Sequence, residues 1–227
     1  MSKILVIAAH PDDEILGVGA TIRKHVENGD ECEALILGEG ITSRYENREN
    51  YEIDKLDQLK EDTIKAGKII GYKNVYTANL RDNRFDNYDL LDIIKIVEKY
   101  VENIRPDIIY THHHGDLNVD HKITYEAVVT GARPISDEIA REIYCFETVS
   151  STEWSFIDKY KFNPNYFVDV TEFIEYKLEA MKQYTSELKE NPHPRSLDNL
   201  LYTAKKWGSI ISCEYAEVFE VVRIINK

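Results

Sequence analysis

An apolar, β-branched-rich run, Ile4–Ala9, meets the polar cluster His10-Pro11-Asp12-Asp13-Glu14 with no spacer. So short and apolar a run reads as a strand buried on both faces, which requires helices above and below it. A helical pattern from about Ile15 to Val26 follows, stopping at Asn28-Gly29-Asp30, where glycine suits the left-handed end. The unit then repeats. Strands are predicted at 33–37, 74–78 and 108–110, and helices at 54–70, 90–104 and 120–130. Four such alternations predict right-handed crossovers and a parallel sheet covered on both faces. Further strands are predicted at 142–146, 166–170 and 218–224. Thr171 is expected to cap a helix running to about Lys189, and another helix is expected over 197–211. The expected fold class is α/β, a Rossmann-like three-layer sandwich with a mostly parallel central sheet, in one domain over residues 1–227. Residues 41–52 lack apolar periodicity and read as a long surface loop.

Composition narrows the function classes. The chain has 227 residues with 43% hydrophobic, enough to build a core without disulfides or structural metal. Its 41 acidic residues against 28 basic ones give a net charge of −13. Such a chain repels nucleic acid and anionic membrane surfaces, although one anionic substrate group held by an arginine stays compatible. Cys32, Cys145 and Cys213 are far apart and fit neither a zinc spacing nor a closed disulfide framework. A reducing, cytoplasmic setting is expected. The run Ile4–Ala9 is too short for a signal peptide or a membrane span, so an integral membrane protein is not expected. Homo-oligomerisation stays open.

In open α/β sheets, sites form beyond the carboxyl ends of the strands. Two polar clusters lie at such ends, one after the first strand and one, Thr111–His121, after the fourth. Five of the seven histidines, at positions 10, 112, 113, 114 and 121, fall in them beside Asp12, Asp13, Asp116 and Asp120. That concentration points to a metal or catalytic site. His10 and Asp13, three residues apart at a strand-to-helix turn, can face one cleft. Imidazoles and carboxylates without cysteine suit zinc, with Fe(II) or another divalent ion also compatible. A histidine of the second cluster would complete a three-ligand set, and an adjacent uncoordinated carboxylate would act as base. No Gly-x-Gly-x-x-Gly follows the first strand, which argues against a dinucleotide-binding module.

These residues carry a resemblance. Ala9-His10-Pro11-Asp12-Asp13-Glu14 resembles the signature of the LmbE-like/PIG-L family of zinc-dependent N-deacetylases. The segment Thr111–His121, ending in Asp120-His121, resembles its second motif. Gly40–Arg44, Asp82–Asp86, His193-Pro194-Arg195-Ser196 and Glu214–Glu217 are similar to segments of its bacterial sugar-deacetylase members. The resemblance implies that His10, Asp13 and His121 ligate zinc and that Asp12 is the general base. The implied substrate is a small N-acyl amino sugar, which a nucleotide or a lipid can carry. A thiol-sugar conjugate or antibiotic intermediate is the alternative, as is a metal-binding domain without catalysis; the spare carboxylate of Asp12 argues against the last. Many members place a histidine three residues before the last ligand, where this chain has Asn118. Either Asn118 stabilises the oxyanion, or His113 or His193 supplies the charge. His193 lies between two prolines, which fix an extended path. Arg44, Asp82, His113 and Asp116 are the candidates for contact with substrate, with Asp82 alternatively orienting a histidine. One of His112 and His114 is expected to support a ligand or Asp116. Glu14 is expected to orient the turn or to cap the following helix, since acids favour the first helical turn.

Overall fold

Among the described residues seven strands form one sheet: β1 (Lys3–Ala8), β2 (Glu31–Gly38), β3 (Asn74–Leu80), β4 (Ile108–His112), β5 (Glu142–Phe146), β6 (Tyr166–Asp169) and β7 (Ala216–Ile224). Their order in this computed structural model is β3-β2-β1-β4-β5-β7-β6. The described residues are 1–45, 52–135, 140–156 and 158–226. Strands β1 to β5 are mutually parallel, and β7 runs antiparallel to both β5 and β6. Among the described residues seven α-helices accompany them: α1 (Asp13–Leu16), α2 (Gly19–Glu27), α3 (Ile53–Ile70), α4 (Leu90–Ile104), α5 (Val119–Gly131), α6 (Ile174–Met181) and α7 (Leu197–Ile211).

Strand β1 explains the layering. Ile4 and Val6 join a core that includes Ile22 of α2, Leu59 of α3 and Met181 of α6. Leu5 and Ile7, one pleat out of phase, join a second core with Val97 of α4 and Val128 of α5. All four are fully buried. Burying each aliphatic side chain is worth about 1.5–3 kcal/mol, so a strand apolar on both faces holds only between two helical layers. The chain order reverses between β1 and β4, which pair with Val6 opposite Tyr110. The turn after β1 and the end of β4 therefore open side by side, where open α/β sheets place their sites. No helix among the described residues is long and apolar enough to cross a membrane.

The structure departs from the sequence expectations in three places. The single helix expected over Ile15–Val26 is two. They part after Gly17, which is still helical and must be glycine, since an added Cβ there would lie 2.2 Å from the Phe146 ring. Val18 leaves the helical region at φ −147°, and α2 restarts with Ala20 N and Thr21 N donating to the Glu217 carboxylate at 3.2 and 2.7 Å. The helix expected from Thr171 to Lys189 is only α6, with Phe173 at its N-cap. Beyond Met181 the chain turns, which sends Tyr184 inward to donate its hydroxyl to Glu14. Strand β4 continues through Thr111 and His112, so the second cluster begins inside the sheet. Of the expected loop 41–52, residues 46–51 lie outside the described residues, and Thr42–Arg44 form one 3-10 turn.

Candidate active site

The turn after β1 aims three side chains into one place. Asp12 adopts φ 105° and ψ −31°, a conformation that costs a non-glycine residue about 1–3 kcal/mol and needs outside support. Ile15 N and Leu16 N donate to its carbonyl at 3.0 and 2.8 Å. Its own N–H donates to Glu14 Oε2 at 3.0 Å. Glu14 is buried, and burial lifts its carboxyl to about pKa 7 despite the Tyr184 hydrogen bond. Glu14 therefore shapes the turn.

His10 Nδ1, Asp13 Oδ2 and His121 Nε2 form a nearly equilateral triangle. Its sides are 3.3 Å (His10–Asp13), 3.3 Å (His121–Asp13) and 3.2 Å (His10–His121). Donors bound to a tetrahedral zinc at about 2.0–2.1 Å stand about 3.3–3.4 Å apart, so the triangle has the size such an ion requires. The opposite ring nitrogens meet carboxylates. His10 Nε2 lies 3.0 Å from Asp120 Oδ2, and His121 Nδ1 lies 3.2 Å from Asp116 Oδ2. Carboxylates in this position fix the ring orientation of metal-ligating histidines. Asp13 Oδ1 is buried with no hydrogen-bond partner among the described residues. Burial depresses the basicity of His121, but the Asp13 and Asp116 carboxylates outweigh it and raise the ring to about pKa 9. Burial acts upward on Asp13, yet His121 and His112 hold it well below the usual carboxylate range. The donor set thus attracts positive charge and fits a divalent cation.

His112 stands behind the triangle. Its Nε2 accepts from Ala9 N at 2.9 Å, and its ring stacks on His121 with centroids 3.9 Å apart. That lone pair is already used, which favours His121 as the third donor. His112 is the expected supporting histidine, whereas His114 is exposed.

The cleft in front is lined by Asp12, Asp82, Asn118, Arg44, Glu187 and Arg195, among others. Asp82 Oδ2 accepts from Ser43 N at 3.0 Å and Ser43 Oγ at 2.6 Å, while Oδ1 lies 3.5 Å from His10 Nε2. It thus borders the cleft and faces a histidine. Asn118 caps α5, with its Oδ1 accepting from Asp120 N at 2.8 Å. That fixes its Nδ2 as the donor on the cleft side, where it reaches Asn83 Oδ1 at 3.0 Å. Arg44 pairs with Glu187.

Three candidates lie elsewhere than expected. Asp116 is fully buried and accepts from Ser151 Oγ and from Thr152 Oγ1. Its carboxylate faces the His121 ring rather than the cleft. His113 is also fully buried, with Nε2 donating to the Tyr160 carbonyl at 2.8 Å and Nδ1 2.7 Å from Glu220. Both ring nitrogens are engaged behind the cleft. The loop bounded by two prolines brings Arg195 to the cleft, not His193. His193 Nδ1 accepts from Arg195 N at 3.1 Å, and its ring stands edge-on to Trp154. Arg195 and Glu187 were missed as site residues. The only signal for Arg195 was its place in a segment already similar to sugar-deacetylase sequences, and Glu187 had none.

Known proteins similar to this chain include several deacetylases. The chain is 30% identical over 189 residues to an uncharacterized deacetylase, YaiS, of Escherichia coli K12, covering 81% of this chain and 90% of the relative. It is 26% identical over 228 residues to the diacetylchitobiose deacetylase of Thermococcus kodakarensis, covering 96% and 82%. Among solved structures, N,N'-diacetylchitobiose deacetylase from Pyrococcus horikoshii superposes with a TM-score of 0.78 at 20% identity, covering 98% of this chain and 84% of that one. GalB, a 4-carboxy-2-hydroxymuconate hydratase from Pseudomonas putida, superposes at 0.77 and 18% identity, covering 100% and 99%. Two chemistries on one fold mean that the fold alone does not assign the reaction. The family described as PIG-L, GlcNAc-PI de-N-acetylase, matches residues 5–132, more than half the chain and both polar clusters, and the chain belongs to that family.

Proposed function

We propose that the protein is a cytoplasmic, metal-dependent N-deacetylase, a hydrolase that frees the amine of an N-acetylated amino-sugar compound. The observation that carries the reading is the triangle of His10, Asp13 and His121 donor atoms, with the spare carboxylate of Asp12 on the cleft beside it. His10, Asp13 and His121 would hold the ion, zinc being the best match to the donor set. When bound, such an ion supplies Lewis acidity toward an amide carbonyl and acidifies water. Asp12 takes the proton from the attacking water and returns it to the leaving nitrogen, giving acetate and a free amine. Asn118 Nδ2 donates to the oxygen that gains charge at the tetrahedral stage. Asp82 and Arg44 border the space for the sugar. The deacetylases among the relatives support amide hydrolysis, and diacetylchitobiose in one of their names supports a sugar substrate.

The test strips the purified chain with a chelator, reloads it with zinc or Fe(II), and assays acetate and amine release. The panel contains N-acetylated sugars that are free, nucleotide-linked and lipid-linked, with 4-carboxy-2-hydroxymuconate as the hydratase control. The reading predicts equal acetate and amine from at least one sugar, lost on stripping and restored on reloading. Turnover that is untouched by stripping, or hydration of the control alone, contradicts it.

A further inference from the structure

The guanidinium of Arg195 has three anchors in three different segments. Nη1 donates to Asp12 Oδ2 at 2.9 Å and to Glu187 Oε2 at 3.2 Å. Nε donates to Ser150 Oγ at 2.8 Å. The backbone beside it is equally fixed. Arg195 N donates to His193 Nδ1, and Ser196 Oγ accepts from Asn199 N at 3.2 Å to cap α7. Glu187, the counter-anchor, is itself buried and shared with Arg44 across the cleft.

Asp12 depends on such a contact. Its backbone is fixed by the strained turn, which leaves the side-chain torsions to decide where each carboxylate oxygen points. Arg195 occupies Oδ2. Among the described residues no donor is bonded to Oδ1, and Asp12 lines the cleft. One oxygen is therefore clamped and the other is left for a proton. A planar guanidinium held at Nε and Nη1 can impose that orientation, whereas a lysine ammonium is a point charge with free rotation.

We propose that Arg195 is the positioning residue for Asp12, clamping Oδ2 so that Oδ1 faces the substrate, with Glu187 setting the plane of the guanidinium. The proposal rests on the reading of Asp12 as base. Two other roles make different demands. A residue that binds an anionic substrate group would act on KM. A purely structural ion pair would act on stability and metal content.

The test is steady-state kinetics on zinc-loaded enzyme with metal content and Tm measured on each preparation. The variants are Arg195→Ala, Arg195→Lys, Glu187→Gln, Asp12→Asn and the Asp12→Asn/Arg195→Ala double. Misplacing a reacting group by about 1 Å costs about a hundredfold, so Arg195→Ala should lower kcat roughly 10- to 100-fold with KM within about threefold. Arg195→Lys should recover only part of that loss. Guanidinium ion at roughly ten millimolar should restore several-fold activity to Arg195→Ala and none to Asp12→Asn. In the Asp12→Asn background, removing Arg195 should cost less than about threefold, because residues acting as one unit are non-additive. If Arg195→Ala fails to fold, Glu187→Gln keeps the question open to a result, since its kcat should fall at unchanged zinc content. An Arg195→Ala enzyme with normal kcat, or with a loss confined to KM, overturns the proposal. So does full additivity in the double variant, or normal kcat in Glu187→Gln. A loss in Asp12→Asn without one in Arg195→Ala overturns this assignment alone, whereas normal turnover in Asp12→Asn overturns the reading of Asp12 and the assignment with it.

Discussion

The cleft residues divide by how far apart in sequence their partners lie. His10, Asp12 and Asp13 occupy one turn, and His121 follows a second cluster that β4 delivers beside it, so spacing and strand order point to all four. Arg195 reaches Asp12, and Glu187 reaches Arg195, only through the tertiary fold; Asp12 and Arg195 are 183 residues apart. Flanking prolines made His193 look like the presented side chain, but they rigidify a backbone without choosing which neighbour reaches the cleft. Asn118 is legible as a departure from the family pattern, and its amide orientation follows from its cap. Asn118→Ala should lower kcat by roughly 10²–10³ at unchanged zinc content, and should cost about 1 kcal/mol of stability through the lost cap. Steady-state kinetics and urea unfolding separate the two effects; normal kcat excludes the oxyanion role. On the proposed ligand set, the pH dependence of metal binding follows from His121, which ligates only as a neutral ring. With its folded pKa raised to about 9, ion binding below that pH must displace a proton, so apparent affinity should rise with pH until about 9. Titration calorimetry at pH 7 in buffers of differing ionisation enthalpy should give at least about one proton released per ion. No release would remove His121 from the ligand set.

At the scale of elements, most helices and strands follow the apolar periodicity, and α4 and α7 begin and end where it predicts. The split of the first helix has its cause in a buried polar group supplied from far away. The periodicity of Ile15–Val26 runs through Gly17-Val18 without a visible stop, because the cap that restarts α2 is Glu217 on β7. Lys177 from α6 completes that cap, with Nζ 2.7 Å from Glu217 Oε1 and 2.7 Å from the Leu16 carbonyl. Removing one partner of a buried pair leaves the other uncompensated, here with two orphaned helix N–H groups as well. Glu217→Ala should therefore destabilise the chain by about 3–5 kcal/mol, and Glu217→Gln, which keeps an acceptor, by less. Equilibrium urea unfolding measures both. A cost below about 1 kcal/mol for the alanine variant would mean that the break in the helix does not depend on Glu217.

At the scale of the whole molecule, the parallel part of the sheet and its two helical layers were legible because β1 is apolar on both faces and the strand–helix unit repeats. The position of β7 was not, since an antiparallel strand slipped between β5 and β6 leaves no mark on local periodicity. The placement of the cleft needed only the reversal of chain order at β1 and β4. Although the chain carries a net charge of −13, the acids of the site each face a basic group, Asp120 facing His10, Asp116 facing His121 and Asp12 facing Arg195. On the proposed function, this fold brings a three-donor metal site beside one carboxylate outside the donor set, clamped at a single oxygen by Arg195, that moves the proton. Asp12→Asn tests it most directly, because asparagine keeps the shape of the turn and leaves His10, Asp13 and His121 untouched. Zinc content and amine release are measured on the same preparations of wild type and variant. The account predicts equal zinc and a turnover lower by at least about a hundredfold in the variant; near-normal turnover at full zinc occupancy would contradict it.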